Sequence, residues 1–243
     1  MTAHLIPPHG GELVDLMAPA QRVEQLKQAA RECPSWDLNF RQMCDLELLM
    51  CGAFSPLRGF LGEQDYEAVC ETMHLREGTL WPMPICLDVD RETAESLQED
   101  SQLGLRDPEG VLLAMLHVED IWEPDPEAKA TRVYGTTDPT HPAVAYLRES
   151  AGPVFVGGAV EGVEVPRHYD FVELRRTPAQ LRQRFAALGW RRVVAFQTRN
   201  PLHRAHHELT MRAVRELEAD LLIHPVVGMT KPGDVDHYTR VRC

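Results

Sequence analysis

Apolar and polar positions alternate differently in successive parts of the chain. Near the amino terminus, apolar residues at helical spacing predict helices within residues 18–30 and 36–61. From 79 to 160, short apolar runs are separated by proline and glycine, which predicts a compact β-barrel with helical additions. Within that region, we expect a strand at 111–118 and a solvated loop over the acidic run 119–127.

The pattern changes near residue 169. Thr177 and Gln180 have the spacing of a capping box, and Pro178 stands where a helix accepts proline in its first turn. Apolar residues then follow at helical spacing until Gly189, which is a common helix terminator. This segment is therefore predicted to be a helix.

A β-α-β unit is predicted after that helix. Residues 192–196 and 220–227 are strand-like apolar runs, and residues 201–218 between them have helical spacing. Parallel strands joined by a crossover helix are the unit of doubly wound sheets, in which ligands bind at the carboxyl ends of the strands. We therefore expect a site just after Phe196.

The segment after that strand contains several groups that bind anions. Asn200 is expected to cap the helix, with Pro201 at its first position. The unpaired amides of a helix amino terminus attract anions, and Arg199 adds a guanidinium fork. His203 and His206 are three residues apart, so both imidazoles are predicted to donate hydrogen bonds from one face of the helix.

Zinc binding is the alternative for these histidines. His203, His206 and His207 stand at i, i+3 and i+4, and Glu208 follows. The H-E-x-x-H order of a zinc protease is absent, so we favour phosphate binding and predict no protein-bound metal.

Composition and charge narrow the possible functions. The chain has 243 residues, of which 44% are hydrophobic and 26% charged, as in globular proteins. Its net charge of −12 is uneven: residues 169–243 contain 13 basic and eight acidic side chains, whereas residues 1–168 contain 12 and 29. An acidic first region repels a phosphate backbone, so nucleic acid is not an expected partner. An anionic substrate is expected to bind in the basic region instead.

Sequence features also indicate the compartment. No run approaches the roughly 18 apolar residues of a membrane-spanning helix, and the first residues do not resemble a signal peptide. The six cysteines never form Cys-x-x-Cys, which favours reduced thiols over disulfides or a zinc site. We therefore expect a cytoplasmic protein with no membrane partner.

Two motifs of the basic region resemble those of a known family. The run QTRNPLHRAH at 197–206, followed by LIHPVVGMTKPGD at 222–234, is similar to the signature pair of the ATP sulfurylase (sulfate adenylyltransferase) family. Shorter segments resemble the amino-terminal region of that family in the same order, namely residues 8–11, 44–48, 52–61, 78–82, 118–120 and 135–142. The resemblance extends over nearly the whole chain.

The resemblance implies a mixed fold. Residues 1–168 would form a PUA-like β-barrel domain, and residues 169–243 would begin an α/β Rossmann-like nucleotidyltransferase domain. The implied reaction converts ATP and sulfate into adenosine 5′-phosphosulfate and pyrophosphate, or the reverse. The family's downstream Gly-Arg-Asp-His motif does not occur here, so we expect a truncated catalytic domain that is inactive alone.

The resemblance also implies roles for the site residues. Gln197 and Arg199 would bind sulfate, and the run from Gln197 through Thr198 and Arg199 to Asn200 would line the ATP site. The catalytic set would be Thr198, Arg199, Asn200, His203 and His206, with the two histidines stabilising the transition state. Residue 207 is histidine where relatives often have an acidic residue, and we expect it to be peripheral.

Other partners follow from the same comparison. ATP would arrive with Mg²⁺, and the intact protein would form a homo-oligomer. Two other functions stay open from the residues alone. One is an adenylyltransferase with the same H-x-x-H helix and a different acceptor, and the other is an RNA-binding PUA-like module.

Overall fold

The computed structural model describes residues 5–227 and 233–243, which form two compact units. One unit is Pro8–Arg175. The other consists of the residues up to Pro7 together with Arg176–Cys243. Arg182 helps to explain that grouping, because its Nη2 donates a hydrogen bond to the carbonyl oxygen of Ile6 at 2.6 Å. The domain boundary expected after residue 168 stays a prediction.

The first unit contains one mixed sheet and several short helices. Its strands are β1 Ser35–Asp37, β2 Gly59–Phe60, β3 Leu87–Val89, β4 Gln102–Arg106, β5 Leu112–Trp122 and β6 Val154–Gly162. Its α-helices are α1 Ala20–Ala29, α2 Phe40–Met50, α3 Glu63–Thr72, α4 Arg91–Glu95, α5 Pro126–Lys129 and α6 Pro142–Glu149. A π-helical turn, Ala130–Tyr134, and a 3-10 turn, Val172–Leu174, complete it.

The sheet is built around two long strands. Its order is β1-β4-β5-β6-β2, and β3 also pairs with β6. β1 and β4 are parallel, and the other pairs are antiparallel. The predicted strand at 111–118 is confirmed, and the turn at residues 107–111 joins it to β4.

The interpretation of 119–127 as a solvated loop is wrong for its first part. β5 continues through Glu119 and Asp120 as far as Trp122. Asp120 has a partner that the local pattern does not reveal, because its Oδ2 accepts a hydrogen bond from the amide of Glu63 at the start of α3. The expectation of β structure with helical additions across 79–160 did not locate α4, α5, the π-helical turn or α6.

The core of this unit combines aliphatic side chains with a few aromatic ones. Its fully buried side chains pack between the sheet and α2, and include Leu46, Leu49, Leu87, Leu105, Leu116 and Val156. Cysteines are free throughout residues 5–227 and 233–243, and burial raises the pKa of the Cys86 thiol to about 12. Burial therefore disfavours the reactive thiolate at this position.

Replacing Leu116 with alanine is expected to destabilise this unit by about 3 kcal/mol, because it removes a fully buried side chain of β5 and leaves a cavity. Guanidinium unfolding followed by the fluorescence of Trp122 measures the effect. Val111→Ala is the control, since Val111 is 37% exposed. Equal losses in the two variants would contradict this picture of the core.

The second unit contains the predicted helix and β-α-β segment. Its elements are α7 Pro178–Ala187, β7 Val193–Thr198, α8 Arg204–Leu217, β8 Asp220–Pro225 and α9 His237–Arg242. The capping box is confirmed: Thr177 accepts from the Gln180 amide, and the Gln180 side chain accepts from the Thr177 amide. Strands β7 and β8 are parallel, as expected, with Thr198 opposite Pro225.

Within the described ranges, no helix has the length and apolar character needed to cross a membrane.

Candidate active site

The site residues lie at and just after the carboxyl end of β7. Gln197 and Thr198 are the last residues of this strand, and Gln197 is exposed. The strand predicted at 192–196 thus continues two residues beyond Phe196, because it is longer than its apolar run, and the expectation of a site just after Phe196 stays a prediction. The amide of Val226 donates to the carbonyl oxygen of Thr198 at 2.9 Å, which extends the pairing with the chain beyond β8.

Thr198 shapes the turn that follows. Its side chain is buried, and its Oγ1 accepts from the Asn200 amide at 3.0 Å and donates to the Asn200 carbonyl oxygen at 2.9 Å. These two bonds hold residues 198–200 in a compact turn. The buried threonine therefore fixes the path of the chain between strand and helix.

The prediction that Asn200 caps the helix, with Pro201 in its first turn, is wrong. α8 begins at Arg204, and the capping residue is His203, whose Nδ1 accepts from the Ala205 amide at 3.2 Å. The Thr198 bonds explain the difference, because they engage Asn200 in the preceding turn. Asn200 is exposed beside the site and does not cap the helix.

Capping also determines the proton position on His203. A nitrogen that accepts a hydrogen bond has no proton, so the neutral ring carries its proton on Nε2. His203 can therefore donate a hydrogen bond through Nε2 while Nδ1 caps α8.

His206 lies next to His203. Their ring centroids are 3.8 Å apart, and the Phe196 ring is 5.4 Å from that of His206. The Nδ1 atom of His206 is buried and has no hydrogen-bond partner in the part of the chain that the structure describes. A buried ring nitrogen without a partner has unused capacity for a hydrogen bond with a ligand.

His207 has a different environment. Its side chain is exposed, and Thr210 donates to the carbonyl oxygens of His206 and His207. Among residues 5–227 and 233–243, no three histidine, cysteine, aspartate or glutamate side chains form a group that could hold a metal ion. The geometry therefore gives no support to the zinc alternative with His207 and Glu208.

Arg199 forms an ion pair that the sequence analysis did not anticipate. Its Nη2 lies 2.6 Å from Oδ2 of Asp234, and the two side chains are 38% and 20% exposed. Asp234 belongs to the second motif, of which residues 228–232 lie outside the described residues. The motif drew attention to Asp234, but no local pattern indicated its partner.

A buried arginine also lies close to this pair in the fold. Arg240 on α9 is 3% exposed, and it donates to the carbonyl oxygens of Val226 and Val235. Asp236 caps α9 by accepting from the Thr239 amide, which lowers the pKa of its carboxyl group. No sequence signal distinguished Arg240 from the other arginines.

Comparison with protein families agrees with this arrangement. Residues 6–165 match the family model described as PUA-like domain, and residues 172–243 match the model described as ATP-sulfurylase. The chain belongs to the ATP sulfurylase family. The motif resemblance and the PUA-like domain are both confirmed.

Named relatives of this family are similar along almost the whole chain. A sulfate adenylyltransferase of Eremothecium gossypii is 48% identical over 239 residues, which are 98% of this chain and 48% of that protein. One of Mycosarcoma maydis is 53% identical over 97% of this chain and 42% of that protein. The chain thus spans about half the length of the curated relatives it matches.

A solved structure shows the same similarity. It is described as a hexameric APS kinase from Thiobacillus denitrificans, and it is 38% identical, with a TM-score of 0.79. The match covers 98% of this chain and 43% of that one. The roles of Gln197, Thr198, Arg199, Asn200, His203 and His206 stay predictions, because similarity of the chains does not test individual side chains.

Proposed function

We propose that the protein to which this chain belongs is a sulfate adenylyltransferase. It would transfer the adenylyl group of ATP to sulfate, or run the reverse reaction. The proposal is supported above all by Arg199 in the turn that joins a parallel strand to a helix, whose cap and first turn carry two closely spaced histidine rings. Family membership and the basic charge of residues 169–243 agree with an anionic substrate pair.

The proposed reaction is one displacement at phosphorus. A sulfate oxygen forms a bond to the α-phosphorus, while the bond from that phosphorus to the bridging oxygen of pyrophosphate breaks. Sulfate is a weak nucleophile, so positioning and charge stabilisation must supply most of the rate. The site is suited to that task because its groups are hydrogen-bond donors rather than a strong base or a nucleophile.

Each predicted residue has a role in this scheme. Gln197 and Arg199 hold the sulfate, and the segment from Gln197 to Asn200 lines the nucleotide site. His203, through Nε2, and His206 donate hydrogen bonds to the phosphate oxygens as charge develops on them. Thr198 maintains the turn, since its side chain is buried and bonded to Asn200.

Magnesium enters as part of the nucleotide substrate. The residues that the structure describes contain no group that could hold the ion by side chains alone. The donor set after β7 is cationic or neutral, so it suits the oxygens of a phosphate rather than Mg²⁺. Bound to ATP, Mg²⁺ shields the charge of the phosphate groups.

Further features of the whole protein belong to the same proposal. The parallel strands joined by α8 support a Rossmann-like nucleotidyltransferase domain. The hexameric description of the structural relative supports a homo-oligomer. We place the enzyme in the cytoplasm. We also expect no nucleic-acid partner, because residues 1–168 are strongly acidic.

A test of the reaction measures pyrophosphate release from MgATP by the intact protein. We expect release to depend on sulfate, and ATP to form when adenosine phosphosulfate and pyrophosphate are supplied. Pyrophosphate release that does not depend on sulfate but requires another acceptor would support the alternative adenylyltransferase. No release with any acceptor, together with tight RNA binding, would support the RNA-binding module.

A further inference from the structure

The ion pair of Arg199 and Asp234 joins two parts of the site that are far apart in sequence. Arg199 lies in the turn after β7, and Asp234 lies just before α9, 35 residues later. The contact between Arg199 Nη2 and Asp234 Oδ2 is short, at 2.6 Å, and neither side chain is fully exposed. The residue assigned to sulfate binding therefore already contacts a carboxylate of the same chain.

Asp234 is tied to the same strand end from which Arg199 emerges. Arg240 donates to the carbonyl oxygen of Val226 and, at 2.7 Å, to that of Val235, the neighbour of Asp234. Val226 is itself bonded to Thr198, the residue before Arg199. These hydrogen bonds and the ion pair thus form a closed circuit at the carboxyl end of the two strands, and buried Arg240 is one of its members.

This arrangement has two opposite consequences for an approaching anion. A long arginine side chain loses conformational entropy when it binds, and an ion pair that already orders it removes part of that cost. The same carboxylate compensates the positive charge and weakens the attraction for a dianion. If orientation of Arg199 dominates, replacing Asp234 lowers the affinity for sulfate. If compensation of its charge dominates, the replacement raises that affinity.

We propose that Asp234 is a positioning residue, which orients the Arg199 guanidinium for sulfate while Arg240 holds Asp234 in place. Orientation prevails over competition because the backbone beside Asp234 is held to the strand end, through the bond from Arg240 to the Val235 carbonyl oxygen, and does not leave when sulfate binds. A guanidinium is planar, so one fixed ion pair restricts the orientation of all its donors. The inference rests on the proposed function, since it takes sulfate as the anion of Arg199.

The test compares Asp234→Ala and Asp234→Asn in the intact protein. For the alanine variant we expect the KM for sulfate to rise roughly ten- to 100-fold, with little change in the KM for ATP. The asparagine variant should stay within about tenfold of wild type, because its amide oxygen still accepts a bond from Arg199 without the charge. Rescue by the isosteric side chain distinguishes orientation from a general need for negative charge.

A double variant tests whether Asp234 acts through Arg199. Once Arg199 is alanine, the further change Asp234→Ala should no longer raise the KM for sulfate and should lower it in part, because it removes a negative charge close to the anion. Glu216→Ala is the matched control, because it breaks the exposed ion pair of Glu216 with Arg212 on α8 and should leave both KM values unchanged.

Each other outcome has a definite meaning. A lower KM for sulfate in both Asp234 variants would identify Asp234 as a competitor of sulfate and overturn the inference. So would a parallel rise in both KM values with a lower Tm, which would show a structural role only. A wild-type protein that is inactive with sulfate would contradict the proposed function itself, and the inference with it.

Discussion

Replacing Arg199 with alanine is expected to lower kcat/KM for sulfate in the intact protein about 1,000-fold, because the change removes a charged, forked donor from the substrate. The structure adds a second reason. The variant would leave the Asp234 carboxylate without this arginine partner, and that negative charge would repel sulfate. Initial rates over a range of sulfate concentrations measure the effect.

The two contributions can be separated. Arg199→Ala combined with Asp234→Asn removes both charges, and we expect it to recover part of the loss in sulfate affinity. Arg199→Lys keeps the charge but loses the planar fork, so it should remain well below wild type. Arg212→Ala is the control, since Arg212 is 70% exposed on α8 and its ion pair with Glu216 lies within that helix. Near-normal turnover and sulfate affinity in Arg199→Ala would contradict the assignment of this site.

Local signals in the sequence predicted the elements around the site correctly. The capping box at Thr177 needs only four consecutive residues, and the structure has it as expected. The parallel pairing of β7 and β8 follows from two apolar runs separated by one helix. Such features depend on neighbours in sequence, so a single chain is enough to predict them.

The start of α8 could not be predicted by the same rules. Asn-Pro is a common way to begin a helix, and Asn200-Pro201 fits it. The buried hydroxyl of Thr198 instead bonds Asn200 on both of its backbone groups, and the first helical residue moves to Arg204. The deciding interaction comes from the preceding strand, whose end the apolar pattern did not locate.

Side-chain pairing between residues far apart in sequence is the other feature that the sequence pattern did not predict. Asp234 meets Arg199 only because β7 and β8 are adjacent and parallel, and Arg240 is buried only because α9 packs near β8. Asp120 shows the same limit in the other unit, where an acidic residue of a strand caps α3. Charge patterns identify such residues as polar but do not identify their partners.

Substitutions in the histidine pair can distinguish helix capping from catalysis. His203→Ala and His206→Ala are each expected to lower kcat about 100- to 1,000-fold while the KM for ATP changes little, because donors aimed at developing charge act mainly in the transition state. His207→Ala should change kcat by less than about threefold, since the exposed side chain of His207 lies outside the pair formed by His203 and His206. Steady-state rates with MgATP and sulfate provide the comparison.

His203 needs a control of its own, because its Nδ1 caps α8 and alanine would also remove that cap, at about 1 kcal/mol. Asparagine is a good capping residue without an imidazole Nε2, so His203→Asn preserves the helix start and removes only the donor. We expect the Tm of His203→Asn to equal that of wild type. Its kcat should be as low as that of His203→Ala. If His203→Asn instead restored kcat, His203 would serve only as the cap of α8, and the transition-state charge would have to be stabilised by His206 and Arg199 alone.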